Sequence, residues 1–197
     1  MSTKKGQKDQ KDYYYYQAKK KGYRSRSAFK LIQMNKKFKL IRKNSSVLDL
    51  GAAPGGWSQV AVSMGADVVA VDINPIREIE KVTFIRGDIN EEETLNKIRS
   101  VKDNYDTVIC DASPNISGNW SLDHFRSIEI ARSAFNVAKE VLKPGGNFVV
   151  KMFQGEETQY TFNRFKRNFK YQKLHTPQAS RKRSAEIYFI GKGFQPD

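Results

Sequence analysis

The chain has 197 residues, with 35 Lys and Arg against 21 Asp and Glu and a formal net charge of +14. That length suits one domain with a full hydrophobic core, and no apolar run approaches the ~20 residues that span a bilayer. One cysteine, Cys110, excludes an intramolecular disulfide framework and a cysteine-clustered zinc site, and the polar N-terminus has no secretory apolar segment, so a soluble cytoplasmic protein is expected.

The charge is unevenly spread. Residues 1–43 carry 15 Lys/Arg and 2 Asp/Glu, residues 44–163 carry 11 and 17, and residues 164–197 carry 9 and 2. A mildly acidic centre thus lies between two basic ends. Nucleic acid is the expected partner, because Lys and Arg neutralise phosphates and release counterions. Residues 1–22 read as a basic, Tyr-rich extension, partly disordered up to about Asp12, and residues 23–197 as a single domain. Tyr13 to Tyr16 among the lysines suit either base stacking or packing against the domain.

From Ser25 the pattern turns helical, with Phe29, Ile32, Lys36 and Leu40 near a 3.6 period and Ser25 or Ser27 as N-cap. The chain then alternates. Ser46–Leu50 reads as a buried strand, Gly56–Met64 as a helix, Asp67–Asp72 and Val82–Arg86 as strands, and Glu92–Val101 as a helix. Tyr105–Asp111 is a strand and Asp123–Leu142 a long helix stopped by Lys143-Pro144-Gly145-Gly146. Asn147–Phe153 is a strand, Glu157–Asn168 a helix, and Phe169–His175 and Ala185–Gly191 are two last strands with no helix between them. This predicts an α/β fold: a mostly parallel seven-stranded sheet, helices on both faces, and an antiparallel last strand.

The first strand–helix turn, Gly51-Ala52-Ala53-Pro54-Gly55-Gly56-Trp57, lies where open α/β sheets bind nucleotides. Gly51, Ala53 and Gly56 occupy the glycine positions of G-x-G-x-x-G. Alanine at the middle position and proline after it disfavour a pyrophosphate, so a phosphate-free adenosine ligand, S-adenosylmethionine, fits better than a dinucleotide. Asp72 ends the second strand, where a carboxylate can take ribose hydroxyls. Asp88 follows the third strand and is placed to accept from an adenine amino group. Either acid alone would more often be a turn residue.

These segments together resemble the RrmJ/FtsJ family of S-adenosylmethionine-dependent RNA 2′-O-methyltransferases. The resemblance runs from about Asp12 to Phe194. It rests on Gly22-Tyr23-Arg24-Ser25-Arg26-Ser27-Ala28-Phe29-Lys30-Leu31, the Asp49–Trp57 turn, Asp111-Ala112-Ser113-Pro114-Asn115 and Lys143-Pro144-Gly145-Gly146. Further matches are Val150-Lys151-Met152-Phe153-Gln154-Gly155, Ala179-Ser180-Arg181 and Ser184-Ala185-Glu186-Ile187-Tyr188. The resemblance implies a Rossmann-like methyltransferase fold and a Lys30–Asp111–Lys151–Glu186 active site. It also implies a cofactor site lined by Gly51, Gly55, Gly56, Trp57, Asp72, Asp88 and Asp111. The family commonly has Asp-Met-Ala-Pro where this chain has Asp111-Ala112-Ser113-Pro114, and Lys-Pro where it has Thr176-Pro177. The second departure bears on one RNA-backbone contact rather than on the chemistry.

The residue types suit the reaction. A ribose 2′-hydroxyl is a poor nucleophile until its proton leaves, and a free lysine, with pKa near ~10.4, is protonated at neutral pH. For Lys151, burial and a second ammonium from Lys30 would favour the neutral base, whereas Asp111 and Glu186 would orient the two lysines and oppose that. The other role open to Lys151 is to stabilise a developing alkoxide. Val149-Val150-Lys151-Met152-Phe153 embeds this lysine in an apolar strand, which is costly without a purpose. Lys30 rests mainly on the resemblance, and Glu186 has an alternative as an edge-strand gatekeeper. Cys110 reads as a small hydrophobe, and His124 and His175 lack ligand company, so no metal is expected.

Three other functions compete: an NAD-dependent oxidoreductase, a base N-methyltransferase and a non-catalytic RNA-binding subunit. The Ala53-Pro54 pair argues against the first. The second normally carries an aromatic after Asp/Asn-Pro-Pro, where this chain has Asp111-Ala112-Ser113-Pro114-Asn115. The third would not need all four family active-site residues. Within the family, the short chain most resembles enzymes that methylate a uridine of large-subunit ribosomal RNA or its particle. A tRNA ribose methyltransferase is the alternative, and a monomer is expected.

Overall fold

The computed structural model describes residues 5–196, with side chains described from Tyr13 onward. The expected disorder up to about Asp12 falls partly on residues 1–4, outside the described residues, while residues 5–12 belong to the first helix. That helix, α1 (Lys5–Lys20), docks on α2 (Ala28–Phe38). Ala18 is buried, the Tyr14 hydroxyl accepts from Gln33 Nε2 at 3.0 Å, and the Tyr14 and Phe29 rings are 5.3 Å apart.

The face that α2 buries is Ala28, Leu31, Met34 and Phe38, one position away from the expected stripe. Phe29 instead turns toward α1 and Tyr23, because a second apolar partner competes for it. The helix ends where Lys39 adopts a left-handed conformation and donates its N–H to the Asn35 carbonyl.

Seven strands form one sheet: β1 (Ser46–Leu50), β2 (Asp67–Asp72), β3 (Val82–Arg86), β4 (Tyr105–Cys110), β5 (Leu142–Phe153), β6 (Phe169–His175) and β7 (Glu186–Phe194). Their order is β3-β2-β1-β4-β5-β7-β6. The first five run parallel, and β7 is antiparallel to both neighbours. The order reverses between β1 and β4, which opens a crevice at the carboxyl ends of those strands.

The remaining helices are α3 (Gly56–Ser63), α4 (Glu92–Val101), α5 (Trp120–Val141) and α6 (Glu157–Phe165), the last followed by a 3-10 turn to Asn168. Strand alternation sorts the core into two layers. Val47, Val68, Ile109, Val149, Tyr188 and Ile190 pack with residues of α2 and α3. Leu48, Leu50, Val108, Cys110, Val150 and Phe189 pack on the other face with α5 and α6.

Several boundaries differ from the sequence expectation, β7 for one running on to Phe194 where a strand ending at Gly191 was expected. Helix α5 begins three residues early, at Trp120, because the Asn119 side chain accepts from Leu122 N and so supplies the cap. Strand β5 begins directly after α5 rather than at Asn147: Leu142 pairs with Tyr105, the register shifts, and Asn147 pairs with Thr107. The Pro144-Gly145-Gly146 run is a bulge in the strand, not only a helix stop.

Candidate active site

Four sequence-distant segments meet at the carboxyl end of the sheet. Lys151 lies on β5 opposite Tyr188 of β7, and two residues on, Phe153 lies opposite Glu186. Directly opposed residues share a sheet face, so Lys151, Tyr188 and Glu186 project toward α2. From α2, Lys30 reaches across to Glu186, Nζ to Oε2 at 2.6 Å. Asp111 follows the last residue of β4. Its backbone carbonyl accepts from Lys151 Nζ at 2.8 Å, and its Oδ1 lies 3.5 Å from the same nitrogen. All four residues named by the resemblance therefore come together as two Lys–carboxylate pairs.

Both lysines are buried, Lys30 being 8% and Lys151 5% exposed. Two charges are withdrawn from water only if each finds partners, which is what Glu186 and Asp111 supply. Glu186 is not an edge-strand gatekeeper, because β7 lies inside the sheet between β5 and β6.

A fifth residue joins the two pairs, and sequence reasoning had given it no role. The Tyr188 hydroxyl donates to Asp111 Oδ1 at 2.7 Å, and its ring lies 5.7 Å beneath Lys30 Nζ. Burial, with the nearby Asp111 charge adding to it, pushes this phenol well above its ordinary range and keeps it a hydrogen-bond donor. The available signal was period two: Glu186 and Tyr188 are two apart in a strand and so share a face.

Trp57 supports this cluster from below. Its ring is tilted against Tyr188 at 5.9 Å, and its indole N–H donates to the Ser27 carbonyl at 2.9 Å.

The glycine turn leads from β1 into α3 and closes the switch point. Gly51 has φ +68°, and a Cβ there would stand 2.4 Å from the Ala112 Cβ, so only glycine lets the turn touch the chain leaving β4. Gly55 caps α3 with φ +105°. Gly56 sits against Ser25, whose Oγ a Cβ would meet at 2.2 Å. The amides that open α3 have no preceding turn to bond to and carry the positive end of the helix dipole.

Asp72, at the end of β2, holds this turn. One carboxylate oxygen accepts from the Ala53 N–H and the other from the Asn74 N–H, each at 2.8 Å. Asp88 follows the next strand end, where Gly87 N donates to the Asp72 carbonyl. Its Oδ1 accepts from the backbone and side-chain nitrogens of Asn90, the local role of a turn residue.

Asp49 and Arg24 have roles in the structure that their sequence segments do not reveal. Asp49 is buried in β1 and accepts from Ser58 Oγ at 2.6 Å. Burial first, and then the charges of Asp111 and Asp72, push its carboxyl up to about 7, against the Ser58 hydrogen bond. Three mutually repelling carboxylates at one crevice suit a cationic ligand. Arg24 braces the rim: its guanidinium donates to the carbonyls of Pro54, Arg77 and Glu78.

Cys110 is fully buried, and burial pushes its thiol up to about 12, as a small hydrophobe requires. His124 ties the end of β5 to α6. Its Nδ1 lies 3.0 Å from the Phe153 carbonyl, while Nε2 accepts from the Glu157 N–H at 3.1 Å.

The basic ends also meet. Arg26 Nη2 donates to the Ala179 carbonyl at 3.0 Å, and the Ala179 N–H donates to Gln33 Oε1 at 2.9 Å. The segment carrying Arg181-Lys182-Arg183 is thereby tied to α2.

A family model described as FtsJ-like methyltransferase matches residues 23–194. The chain belongs to this family. Among curated FtsJ-type relatives, a protein of Archaeoglobus fulgidus named ribosomal RNA large subunit methyltransferase E is 66% identical, over 95% of this chain and 98% of its own. One of the same name from Methanosarcina mazei is 54% identical, over 95% of this chain and 71% of its own. A crystal structure from Plasmodium falciparum, described as a ribosomal RNA methyltransferase, superposes with a TM-score of 0.80 at 28% identity, covering 89% of this chain and all of that one. The Rossmann-like α/β architecture and the methyltransferase family expected from the sequence are both found.

Proposed function

We propose that this chain transfers a methyl group from S-adenosylmethionine to a ribose 2′-hydroxyl of large-subunit ribosomal RNA, at a uridine. The observation that carries this reading is the paired Lys30–Glu186 and Asp111–Lys151 cluster, buried around Tyr188 beside the glycine turn. The ribosomal RNA target rests on the names of the relatives. Residues 23–197 form the catalytic unit in this reading, and residues 1–22 a basic extension.

S-adenosylmethionine supplies an electrophilic methyl on a sulfonium. Asp111 and Asp72 make the crevice negative, enough to oppose ionisation of the buried Asp49 behind them, and this suits the positive charge of that cofactor. Gly51, Gly55 and Gly56 bring the backbone close, with Trp57 at the opening of α3. Asp72 and Asp88, at successive strand ends, are the ribose and adenine partners.

On the substrate side, methyl transfer is an in-line displacement, so holding the hydroxyl supplies much of the rate. The Lys151 nitrogen has three directions open beyond its own carbon, each an N–H or, in the neutral amine, a lone pair. Two directions are taken by the Asp111 carbonyl and carboxylate, which leaves a third for the incoming 2′-oxygen. There the neutral amine of Lys151 takes the hydroxyl proton on its lone pair as the oxygen attacks the methyl, or the ammonium form stabilises the oxygen as its charge grows. Lys30, held by Glu186, adds positive charge at the same oxygen. Tyr188 keeps Asp111 aimed.

The experiment incubates the purified chain with S-adenosylmethionine carrying a labelled methyl group and unmodified large-subunit ribosomal RNA, then digests the RNA to nucleosides. A labelled 2′-O-methyluridine is the expected product. Label on a base, or on tRNA alone, would overturn the assignment.

A further inference from the structure

One aromatic pair at the carboxyl end of the sheet faces outward instead of into either core layer. Trp120 opens α5, and its ring stacks on Phe153 with centroids 6.0 Å apart and planes at 19°. Phe153 is buried, yet Trp120 is 51% exposed. Within the same ten residues Ile116, Leu122 and Phe125 are exposed as well. Large apolar side chains left in water beside a candidate site are candidates for an interaction surface, and Trp120 is the one held against a buried ring.

Its position says what it touches. Phe153 is the last residue of β5, opposite Glu186 and two residues beyond Lys151 on the same sheet face. The Trp120 ring is therefore one aromatic layer out from the lysine–carboxylate cluster. In a nucleotide the 2′-hydroxyl and the base sit on adjacent ribose carbons, so a fixed base fixes the hydroxyl. Phe153 lies between Trp120 and the sheet, which holds the indole rigid for stacking, and an indole stacks on any base because every base has a π-face. A base inside a duplex has both faces covered by its neighbours and cannot use such a platform.

We propose that Trp120, backed by Phe153, is a stacking platform for an unpaired nucleobase of the RNA strand whose ribose enters the Lys30–Asp111–Lys151–Glu186 site. This rests on the RNA 2′-hydroxyl reading above. It adds a positioning residue and a substrate class, the unpaired nucleotide. The Asp111–Asn115 stretch has no aromatic of its own; the platform comes from the start of the next helix.

Three variants test it: Trp120→Phe, Trp120→Leu and Trp120→Ala, with folding checked by thermal melting and the cofactor side by binding of S-adenosylhomocysteine. Stacking predicts that Trp120→Phe keeps KM for RNA within a few-fold, while Trp120→Leu and Trp120→Ala raise it roughly 5- to 100-fold. Cofactor affinity should stay unchanged in all three. The chain has two tryptophans, and Trp57 is buried, so fluorescence quenched by added oligoribonucleotide reports Trp120 and should vanish in Trp120→Phe. Quenching is expected with an unpaired oligoribonucleotide and not with a fully paired duplex.

Equal KM in all variants would overturn the proposal. So would rescue by leucine, which indicates simple apolar contact, or a defect confined to ribosomal particles and absent on free RNA, which indicates a protein partner. If the wild-type chain methylated no RNA while the unpaired oligonucleotide still quenched Trp120, the RNA 2′-hydroxyl reading would fail and the platform would stand.

Discussion

The two halves of the candidate site are built differently. The cofactor half is local: Asp49, Gly51, Gly55, Gly56 and Trp57 fall within nine consecutive residues, and Asp72 reaches Ala53 only 19 positions back. The lysine half is assembled from afar, with Lys30 and Glu186 separated by 156 positions and Tyr188 and Asp111 by 77. The first is a turn between one strand and one helix. The second exists only when α2 and β7 have both docked against β5. Cofactor binding and turnover should therefore be separable by mutation.

The largest expected effect is Lys151→Ala. It removes the group that meets the 2′-oxygen and should lower kcat by about 10²- to 10⁴-fold. S-adenosylhomocysteine binding, measured by calorimetry, should stay near wild type, because the glycine turn does not involve Lys151. Parallel loss of both would mean that the halves are one unit.

A smaller effect in the opposite direction is expected from Asp72→Asn. The variant loses the charge behind two hydrogen bonds that hold the turn. Cofactor affinity should fall roughly 10-fold, with RNA affinity in a filter-binding assay unchanged. If RNA binding fell equally, the acidic half would be shaping the RNA surface too.

The last effect concerns stability alone, with none expected on turnover, and reads the burial and repulsion that act on Asp49 in the acidic half. Asp49 has its carboxyl raised from 3.8 to about 7 in the folded chain. Between those values the folded state holds a proton that the unfolded state has lost, so this residue lowers stability progressively as pH climbs from about 4 to about 7. Asp49→Asn keeps the shape and removes the titration. Its stability, read from melting temperatures, should gain on wild type from pH 5 to pH 8 by at most about 3 kcal/mol. A difference that ignores pH would show that Asp49 is not the group that titrates.

Much of the fold was legible because the strands of a sheet covered on both faces are short, apolar and bounded by turn residues. Val47-Leu48 and Val108-Ile109 could be little else. The register of α2 was not legible, because two layers compete for it: Phe29 serves α1 while Leu31 and Met34 serve the sheet. The bulge at Pro144-Gly145-Gly146 was missed because those residues signal a turn equally well at a helix end and inside a ladder. In the site, the four residues of the resemblance were all found clustered. Tyr188 was missed, since a tyrosine in an apolar strand looks like core until its hydroxyl has a named partner. Trp120 was missed because its value lies in what it stacks on, and Phe153 is 33 positions away.

By itself the sequence determined the alternation of strands and helices, the glycine turn with its flanking acids, and the two basic ends around an acidic centre. Those are local patterns, written in residue type and spacing, and they survive without knowledge of what packs on what. Tertiary structure alone decided that Glu186 lies inside the sheet, that Tyr188 links the two lysine pairs, and that Arg26 and Gln33 tie the basic ends together through Ala179. Long-range contacts of this kind depend on strand order and on which face each side chain takes, and neither is encoded in any one segment.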